Sequence, residues 1–269
     1  AFEAAKIALE RANLKAADID MIVFATLSPD YMFPGSGVLL QEKLGIPGIP
    51  ALDVRNQCSG FVYSLSVADQ FIRTGMYNRI MVVGAEVHST GLEYNERGRH
   101  VTVLFGDGAG VAIMEASENG RGVLSSHLHA DGRYATELCV TDPGSRRIPR
   151  LSPEMLVDGS CFPHMNGREV FKHAVTKFPA VIMEALEQNN LSTEDIKLLI
   201  PHQANLRISE AVAQRLKLRP QQVFNNIQRY GNTTAASIPI ALDEALEQGL
   251  IEDNDIVILV AFGSGFTWA

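Results

Sequence analysis

The chain has 269 residues, of which 46% are apolar, so it can bury a sizeable core as one large domain or as two fused halves. Its 23 Lys and Arg against 31 Asp and Glu give a net charge of −8, which disfavours general binding to nucleic acid or to anionic membranes. No stretch reaches the roughly 18 uninterrupted apolar residues of a membrane span, and no signal peptide opens the sequence, so we expect a cytoplasmic enzyme.

Elements in chain order alternate helices with buried strands, which is the pattern of a layered α/β protein. A helix end and a short turn within 8–19 precede an apolar strand over 21–24. A buried helix is predicted over 58–74, because apolar residues recur at helical spacing and Gly75 supplies a stop signal. A strand over 80–83 follows it.

The glycine-rich run 105–110 is expected to end a further strand. The run lacks the lysine and the spacing of a phosphate-binding loop, so a tight turn between packed elements is the favoured interpretation. Residues 121–165 are irregular, with scattered Gly and Pro, and predict a lid or insertion over the site.

The second half resumes with a helix over about 167–189 and strands over 198–200 and 256–260, the last of which runs into a glycine-rich end. Pro239 is unfavourable inside a helix, so the helix after Asn232 is predicted to begin late or to bend. We therefore divide the chain into an N-terminal half, 1–165, that includes the insertion, and a C-terminal half, 166–269.

The two halves show an internal duplication. Seven residues of 8–19 recur in 185–196 at a shift of 177, and a second correspondence at a shift of 174 aligns Asp69 and Gly75 with Asp243 and Gly249. The second shift places Cys58 opposite Asn232. Halves that fold alike about a pseudo-two-fold axis would bring two equivalent helix starts to one shared site.

Three segments far apart in sequence carry candidate chemistry: Gln-Cys-Ser-Gly-Phe at 57–61, Pro-His-Gln-Ala-Asn at 201–205 and Tyr-Gly-Asn-Thr-Thr-Ala-Ala-Ser at 230–237. Cys58 lies at a predicted helix start, where backbone N–H groups would lower the pKa of the thiol and make it an acyl acceptor. His202 and Asn232 supply polar groups able to hold a thioester carbonyl. Taken singly, they are also compatible with a core cysteine, a structural histidine and a helix cap.

Metal and disulfide chemistry are both disfavoured. The sequence has three cysteines, an odd number without a paired spacing: Cys58, Cys139 and Cys161. The pairs His127/His129 and Cys161/His164 lack two further ligands at a suitable spacing, so we expect no metal site.

The three segments, together with 105–110, Met-Asn-Gly-Arg-Glu-Val-Phe at 165–171 and the glycine-rich end, resemble β-ketoacyl-acyl carrier protein synthase III over nearly the whole chain. The resemblance implies a thiolase fold, layered α-β-α-β-α and built from two duplicated halves. It also implies that the given chain is clipped at both ends and lacks the first strand of its N-terminal half.

The resemblance implies a role for each candidate. Cys58 would take an acyl group from acyl-CoA, and His202 and Asn232 would hold the malonyl thioester oxygen while carbon dioxide leaves. Backbone N–H groups of Cys58 and Ser264 would meet the tetrahedral oxyanion. The family commonly has glycine at position 264, so the serine side chain is a potential source of crowding. No cofactor is required.

The implied partners are acyl carrier protein, coenzyme A thioesters and a second copy of the chain. Phe33 resembles the residue that walls the partner's acyl pocket across a dimer interface. Arg207 matches a carrier-docking position, and a surface formed by Arg215, Lys217 and Arg219 either extends it or is a solvated helix face. Arg97 or Arg99 would contact the CoA nucleotide, with the alignment ambiguous between them.

The predicted function is a decarboxylating Claisen condensation of an acyl-CoA starter with malonyl-acyl carrier protein, which initiates fatty acid synthesis. The alternative is a related acyltransferase of secondary metabolism with another starter or extender. A non-catalytic subunit would be expected to lose the nucleophile, and Cys58 argues against it. Head-to-head condensing relatives use a glutamate where this chain has Met32 and Phe33. The sequence does not define the starter length.

Overall fold

The strands of the two halves are two to eight residues long. The computed structural model describes residues 1–117 and 120–269. Its strands are β1 (Met21–Ala25), β2 (Ala51–Val54), β3 (Arg79–Glu86), β4 (Gly108–Glu115), β5 (His129–Ala130), β6 (Leu138–Cys139), β7 (His164–Met165), β8 (Ile196–Pro201), β9 (Ile256–Val260), β10 (Phe262–Gly263) and β11 (Thr267–Trp268).

The helices pack on both faces of these strands. They are α1 (Phe2–Arg11), α2 (Ser36–Leu44), α3 (Gly60–Arg73), α4 (Arg99–Thr102), α5 (Glu154–Asp158), α6 (Gly167–Gln188), α7 (Leu206–Leu216), α8 (Ile227–Tyr230) and α9 (Ser237–Glu247). Among the described residues, no helix has both the length and the apolar character needed to cross a bilayer.

The first half is organised around a four-stranded sheet in the order β2-β1-β3-β4. Strands β2, β1 and β3 are parallel, and β4 runs antiparallel to β3. Alternate residues of β1 face opposite sides: Met21 and Val23 pack toward α3 and α9, whereas Ile22 and Phe24 pack toward α1 and α2. A strand covered on both faces must be apolar throughout, which explains the uninterrupted hydrophobic run.

The second half has a parallel pair, β8 and β9, and a small antiparallel sheet in the order β10-β11-β5. Helices α6 and α7 pack on the pair through a core that includes Phe178, Ile182, Leu199 and Val212. Strand β5 lies before the predicted domain boundary at residue 165, but it pairs with β11 of the second half. The boundary at residue 165 and the lid role of 121–165 stay predictions.

Backbone geometry repeats between the halves at the predicted spacing. Asn13 and Asn190 have φ of 53° and 55°, and Gly75 and Gly249 have φ of 71° and 66°. Each pair lies just after a helix, where a left-handed residue ends the helical hydrogen bonding. These conformations agree with the duplicated architecture.

The observed starts of α3 and α9 show that the predicted match of Cys58 with Asn232 is wrong. A 3-10 helix precedes α3 at Gln57–Ser59 and another precedes α9 at Thr234–Ala236, and each opens on a left-handed residue, with φ of 43° at Gln57 and 50° at Thr234. The shift here is 177, so Cys58 corresponds to Ala235 rather than to Asn232. Helix α9 has 11 residues and α3 has 14, which explains why the shift falls to 174 at the helix ends.

The two helix starts meet in the middle of the molecule. Gly84 of β3 lies against the second 3-10 helix so closely that a Cβ there would overlap the carbonyl oxygen of Ala235. A Cβ at Gly60, the first residue of α3, would lie 3.2 Å from the Cβ of Ala25 and 3.6 Å, an ordinary contact distance, from that of Ala235. The close approach that requires glycine is therefore that of Gly84 in β3 to the turn before α9.

Two further predictions about elements have different outcomes. The run 105–110 does not end a strand, because β4 begins within it at Gly108, which pairs with Glu86 at the end of β3. Phe105 and Gly106 instead pair with Asn232 of the second half. Helix α9 does begin late, at Ser237. Pro239 is its third residue, where a helix needs no N–H donor.

Candidate active site

Cys58 lies in the 3-10 helix that leads into α3 and is 6% exposed. Backbone N–H groups of Ser264 and of Cys58 itself act on the sulfur and lower its pKa. Gly263 packs directly on this residue, since a Cβ at Gly263 would lie 3.0 Å from Sγ. The thiol is therefore enclosed, and the two N–H groups define a place where negative charge on an atom beside the sulfur would be stabilised.

The resting thiol is protonated, which corrects the expectation of a lowered pKa. Burial, followed by the negative charge of Glu86, raises the pKa of Cys58 to about 12, although the two backbone N–H groups act in the opposite direction. Desolvation outweighs the helix start because a thiolate loses most of its hydration in this enclosed position. Any reaction in which this sulfur acts as a nucleophile would therefore require loss of the thiol proton.

Ser264 does not crowd the turn. Its hydroxyl donates a hydrogen bond to the carbonyl of Leu138, so the side chain points away from the sulfur while its backbone N–H faces it. The substitution of serine for the family's common glycine is accommodated by this contact with β6.

His202 follows β8 directly and is 2% exposed. Its backbone N–H donates to the carbonyl of Val260 at 2.7 Å, which fixes the residue against β9. The ring nitrogen Nδ1 lies 2.6 Å from Oγ of Ser237, in the first turn of α9. Nε2 is buried and has no hydrogen-bond partner among the described residues. Burial, followed by the neighbouring His88, lowers the pKa of His202 to about 3, so the ring is neutral.

Asn232 is held through its main chain and one side-chain atom. Its N–H donates to the carbonyl of Leu104 at 2.8 Å, and its carbonyl accepts from the N–H of Gly106 at 3.0 Å. Its side-chain oxygen Oδ1 accepts from the N–H of Thr234 at 2.9 Å. Because a donor fixes the oxygen end, the amide nitrogen Nδ2 is left without a partner in the described part of the chain.

The three predicted residues are brought together by the convergence of α3 and α9. The 3-10 helix that carries Cys58 packs against the one that starts at Thr234, which binds Asn232. Ser237, three residues later, binds His202. This region therefore contains one buried thiol and two polar side chains that can each form a further hydrogen bond.

A buried carboxylate, missed in the sequence, supports the loop that leads to Phe33. Glu86 accepts hydrogen bonds from the backbone N–H groups of Leu27 and Ser28, each at 3.1 Å, and from the hydroxyls of Thr26 and Ser28. Burial raises the pKa of Glu86, against these hydrogen bonds. A glutamate at a strand end is an ordinary surface feature in a sequence, so no local signal identified it.

The predicted binding residues lie outside this cluster. Phe33 is 84% exposed, and Tyr31 and Met32 beside it are also exposed. Arg207 is exposed in the first turn of α7, and Arg99 is exposed at the start of α4. Arg97 instead binds the Glu93 carboxylate and the carbonyls of Leu156 and Val157, so its guanidinium is already occupied.

In the described part of the chain no metal site is found, and an apolar cavity lies apart from the cluster. Within 1–117 and 120–269, no three His, Cys, Asp or Glu side chains are grouped so that they could hold a metal ion. A cavity of about 470 Å³ lies between residues 120–127, α6 and β9. Its lining does not include Cys58, His202 or Asn232.

The raised pKa of Cys58 predicts how the free protein reacts with iodoacetamide. Only the thiolate is alkylated, so between pH 7 and pH 10 the rate at Cys58 should rise about tenfold per pH unit without a plateau. The rate is measured by quantifying the modified Cys58 peptide, which also separates it from Cys139 and Cys161. A model cysteine peptide, which levels off near its own pKa of about 8.5, is the control. A plateau for Cys58 with a midpoint below pH 9 would contradict the account.

Comparisons with known proteins match the chain to one family. Residues 52–132 match the family model described as 3-oxoacyl-[acyl-carrier-protein] synthase III, and residues 186–269 match the model of its C-terminal part. β-Ketoacyl-[acyl-carrier-protein] synthase III of Caldanaerobacter subterraneus subsp. tengcongensis is 48% identical over 269 residues, which are 100% of this chain and 80% of that protein.

Solved structures show the same fold. The 3-oxoacyl-[acyl-carrier-protein] synthase III of Aquifex aeolicus VF5 superposes with a TM-score of 0.90 at 40% identity, over 100% of this chain and 81% of that one. The Thermus thermophilus synthase III gives a TM-score of 0.91, also at 40% identity and with the same coverage. The predicted thiolase fold is confirmed, and the chain belongs to the 3-oxoacyl-[acyl-carrier-protein] synthase III family of condensing acyltransferases.

Proposed function

We propose that this protein condenses an acyl-CoA starter with malonyl-acyl carrier protein, with loss of carbon dioxide, to give a 3-oxoacyl-carrier product that initiates fatty acid synthesis. The observation that carries the residue assignment is the buried Nε2 of His202, which no described protein group binds, beside Asn232, whose amide oxygen is held by the N–H of Thr234. Buried polar groups are normally paired, so an unpaired nitrogen in this position indicates a ligand that completes it.

The first half-reaction transfers the acyl group to Cys58. The sulfur attacks the thioester carbonyl of acyl-CoA, the carbon–sulfur bond to CoA breaks, and the thiol proton leaves with the CoA thiolate as free CoA. The oxygen that becomes negative in this step would lie against the N–H groups of Cys58 and Ser264. Their alignment with the sulfur supports this role.

The second half-reaction generates the nucleophilic carbon. Loss of carbon dioxide from the malonyl group leaves an enolate, whose oxygen gains negative charge as the bond breaks. His202 and Asn232 stabilise that oxygen by donating from Nε2 and Nδ2. The His202 donor requires the proton on Nε2, so Nδ1 must accept; Ser237 Oγ, 2.6 Å away, can donate to it if its proton turns from the carbonyl of Thr234, 2.9 Å from the same oxygen. The enolate carbon then attacks acyl-Cys58, and the sulfur leaves and recovers a proton. No resident cofactor enters either step.

Acylation and discharge of Cys58 test this mechanism. The protein is incubated with short, branched and long acyl-CoAs and examined by intact mass and peptide mapping. We expect an acyl adduct on Cys58 that malonyl-carrier discharges with release of the 3-oxoacyl product. In His202→Ala and Asn232→Ala the adduct should form, but its discharge should slow by about 100-fold or more, because each loses a donor to the enolate oxygen.

Cys58→Ala is the matched control and should form no adduct with any acyl-CoA. The absence of an adduct in the folded wild-type protein would exclude acyl-CoA priming. Equal loss of adduct formation and discharge in His202→Ala would contradict the division of roles, because it would place the histidine in acyl transfer.

Carrier docking is proposed at Arg207. This residue is exposed on α7, and Arg215, Lys217 and Arg219 are exposed on the same helix and the turn after it, which gives a local positive surface on a chain of net charge −8. An acidic carrier would be steered to such a surface. Arg99, exposed and without the ion pair that occupies Arg97, is the better candidate of the two for a CoA phosphate.

Charge reversal tests the docking surface. In Arg207→Glu the KM for malonyl-carrier should rise about tenfold, equivalent to about 1.4 kcal/mol, with kcat unchanged. The KM for acyl-CoA should stay at the wild-type value and serves as the internal control. Steady-state kinetics at low and high salt should show the difference shrinking as salt screens the charge. An unchanged carrier KM would refute docking at Arg207.

A homodimer interface is proposed around Phe33. Three consecutive exposed side chains, Tyr31, Met32 and Phe33, make an apolar surface that a partner copy would cover. Sedimentation equilibrium should show a dimer for the wild type and a weaker one for Phe33→Ser. Tyr94→Ser, another exposed aromatic change, is the matched control. A monomeric wild-type protein, or identical dimerisation in Phe33→Ser, would contradict the assignment.

A further inference from the structure

Thr234 has an unusual main-chain conformation next to the candidate site. Its φ is 50°, in the left-handed region, which a β-branched residue adopts rarely because its side chain crowds the backbone. The residue is almost completely buried. Such a conformation persists only where surrounding contacts hold it.

The backbone N–H and the side-chain hydroxyl of Thr234 contact two different residues. Its backbone N–H donates to Oδ1 of Asn232 at 2.9 Å, which turns the amide so that Nδ2 remains free. Its hydroxyl lies 2.6 Å from Nε2 of His88. The left-handed φ sets the side chain of Thr234 relative to this N–H, and the hydroxyl contact fixes the residue to His88 of the other half.

His88 is itself firmly placed. It follows β3, and its backbone N–H donates to Oδ1 of Asp107 at 2.7 Å. Its ring packs on Phe105, with the ring centres 4.7 Å apart. Phe105 in turn pairs with the main chain of Asn232 as a parallel bridge. The ring of His88 and the backbone of Asn232 are therefore parts of one buried assembly.

We propose that His88 and Thr234 are positioning residues that orient the amide of Asn232 toward the malonyl thioester oxygen. His88 binds the Thr234 hydroxyl, Thr234 keeps its left-handed backbone, and its N–H holds the oxygen end of the amide away from the substrate. Neither residue touches the reacting atoms. This positioning role rests on the proposed function, because it acts through the donor that Asn232 supplies.

The polarity of the amide makes this contact consequential. An asparagine side chain carries a donor at one end and an acceptor at the other, and rotation by half a turn exchanges them. An Oδ1 directed at the enolate oxygen would repel it, whereas Nδ2 attracts it. Loss of the Thr234 N–H contact therefore converts a stabilising group into a neutral or opposing one.

Thr234→Val tests the proposal, since valine has nearly the same shape and β-branching but no hydroxyl to bind His88. We expect discharge of acyl-Cys58 by malonyl-carrier to slow about 10- to 100-fold, because small misplacements of a catalytic group cost rates of that order. The KM for malonyl-carrier and the rate of adduct formation should stay within twofold of wild type. Thr234→Ser, which keeps the hydroxyl, is the matched control and should retain nearly full discharge.

His88 is tested in the same assays. His88→Leu should lose discharge to the same extent as Thr234→Val, and His88→Gln, whose amide can reach the hydroxyl, should recover part of it. The double variant His88→Leu/Thr234→Val should be no slower than either single variant, because both remove one contact. Full activity in Thr234→Val, or equal losses in adduct formation and discharge, would overturn the proposal.

A double-mutant cycle between Thr234→Val and Asn232→Ala separates this proposal from the proposed function. In an Asn232→Ala background, Thr234→Val should have no further effect on discharge, since no amide remains to be oriented. A further loss in that background would show that Thr234 acts elsewhere and would overturn the positioning role. If Asn232→Ala itself leaves discharge intact, the donor role of Asn232 in the proposed function fails first.

Discussion

The convergence of two helix starts in the buried centre of the molecule is the constraint on which the site depends. The 3-10 helix before α3 packs against the one before α9, and Gly84 of β3 leaves room for the second of them. Each start is preceded by a 3-10 helix that opens on a left-handed residue, so the chain turns sharply into both. The nucleophile comes from one turn and the groups that bind Asn232 and His202 come from the other.

Burial determines the protonation states of Cys58 and His202 in the free protein. Burial and the charge of Glu86 keep Cys58 as a thiol in the free protein, and burial together with the neighbouring His88 keeps His202 neutral. A neutral imidazole can carry a proton on Nε2 and donate it without adding a charge that would compete for the carboxylate of the substrate. Low dielectric strengthens the hydrogen bonds that form when the enolate appears. Under the proposed mechanism, the site would stabilise the charge that develops on the enolate oxygen rather than a free thiolate at Cys58.

The resemblance to a known family was sufficient for the fold class, and it also led to the proposed site residues. The Cys, His and Asn segments are short and chemically distinctive, and apolar runs located β1, β8 and β9. Long-range effects were not available from sequence. The pKa of Cys58 was expected to fall, but burial by Gly263 and the charge of Glu86, both distant in sequence, raise it. The match of Cys58 with Asn232 failed because α9 is shorter than α3 by nearly one turn.

The supporting contacts were missed for a related reason. Ser237 and Thr234 lie inside the recognised segment, but their partners, His202 and His88, come from other parts of the chain. A threonine has no local signal for a left-handed backbone, which packing imposes. Such positions, where the observed conformation opposes the intrinsic preference, are expected to concentrate near functional sites.

A crystal structure with a malonyl thioester analogue that cannot lose carbon dioxide tests the central claim most directly. The account predicts that the thioester oxygen lies within about 3 Å of both Nε2 of His202 and Nδ2 of Asn232. The same structure should show Ser237 Oγ still bound to Nδ1 of His202. A thioester oxygen bound elsewhere, with the two nitrogen atoms unpaired or turned to protein groups, would contradict it.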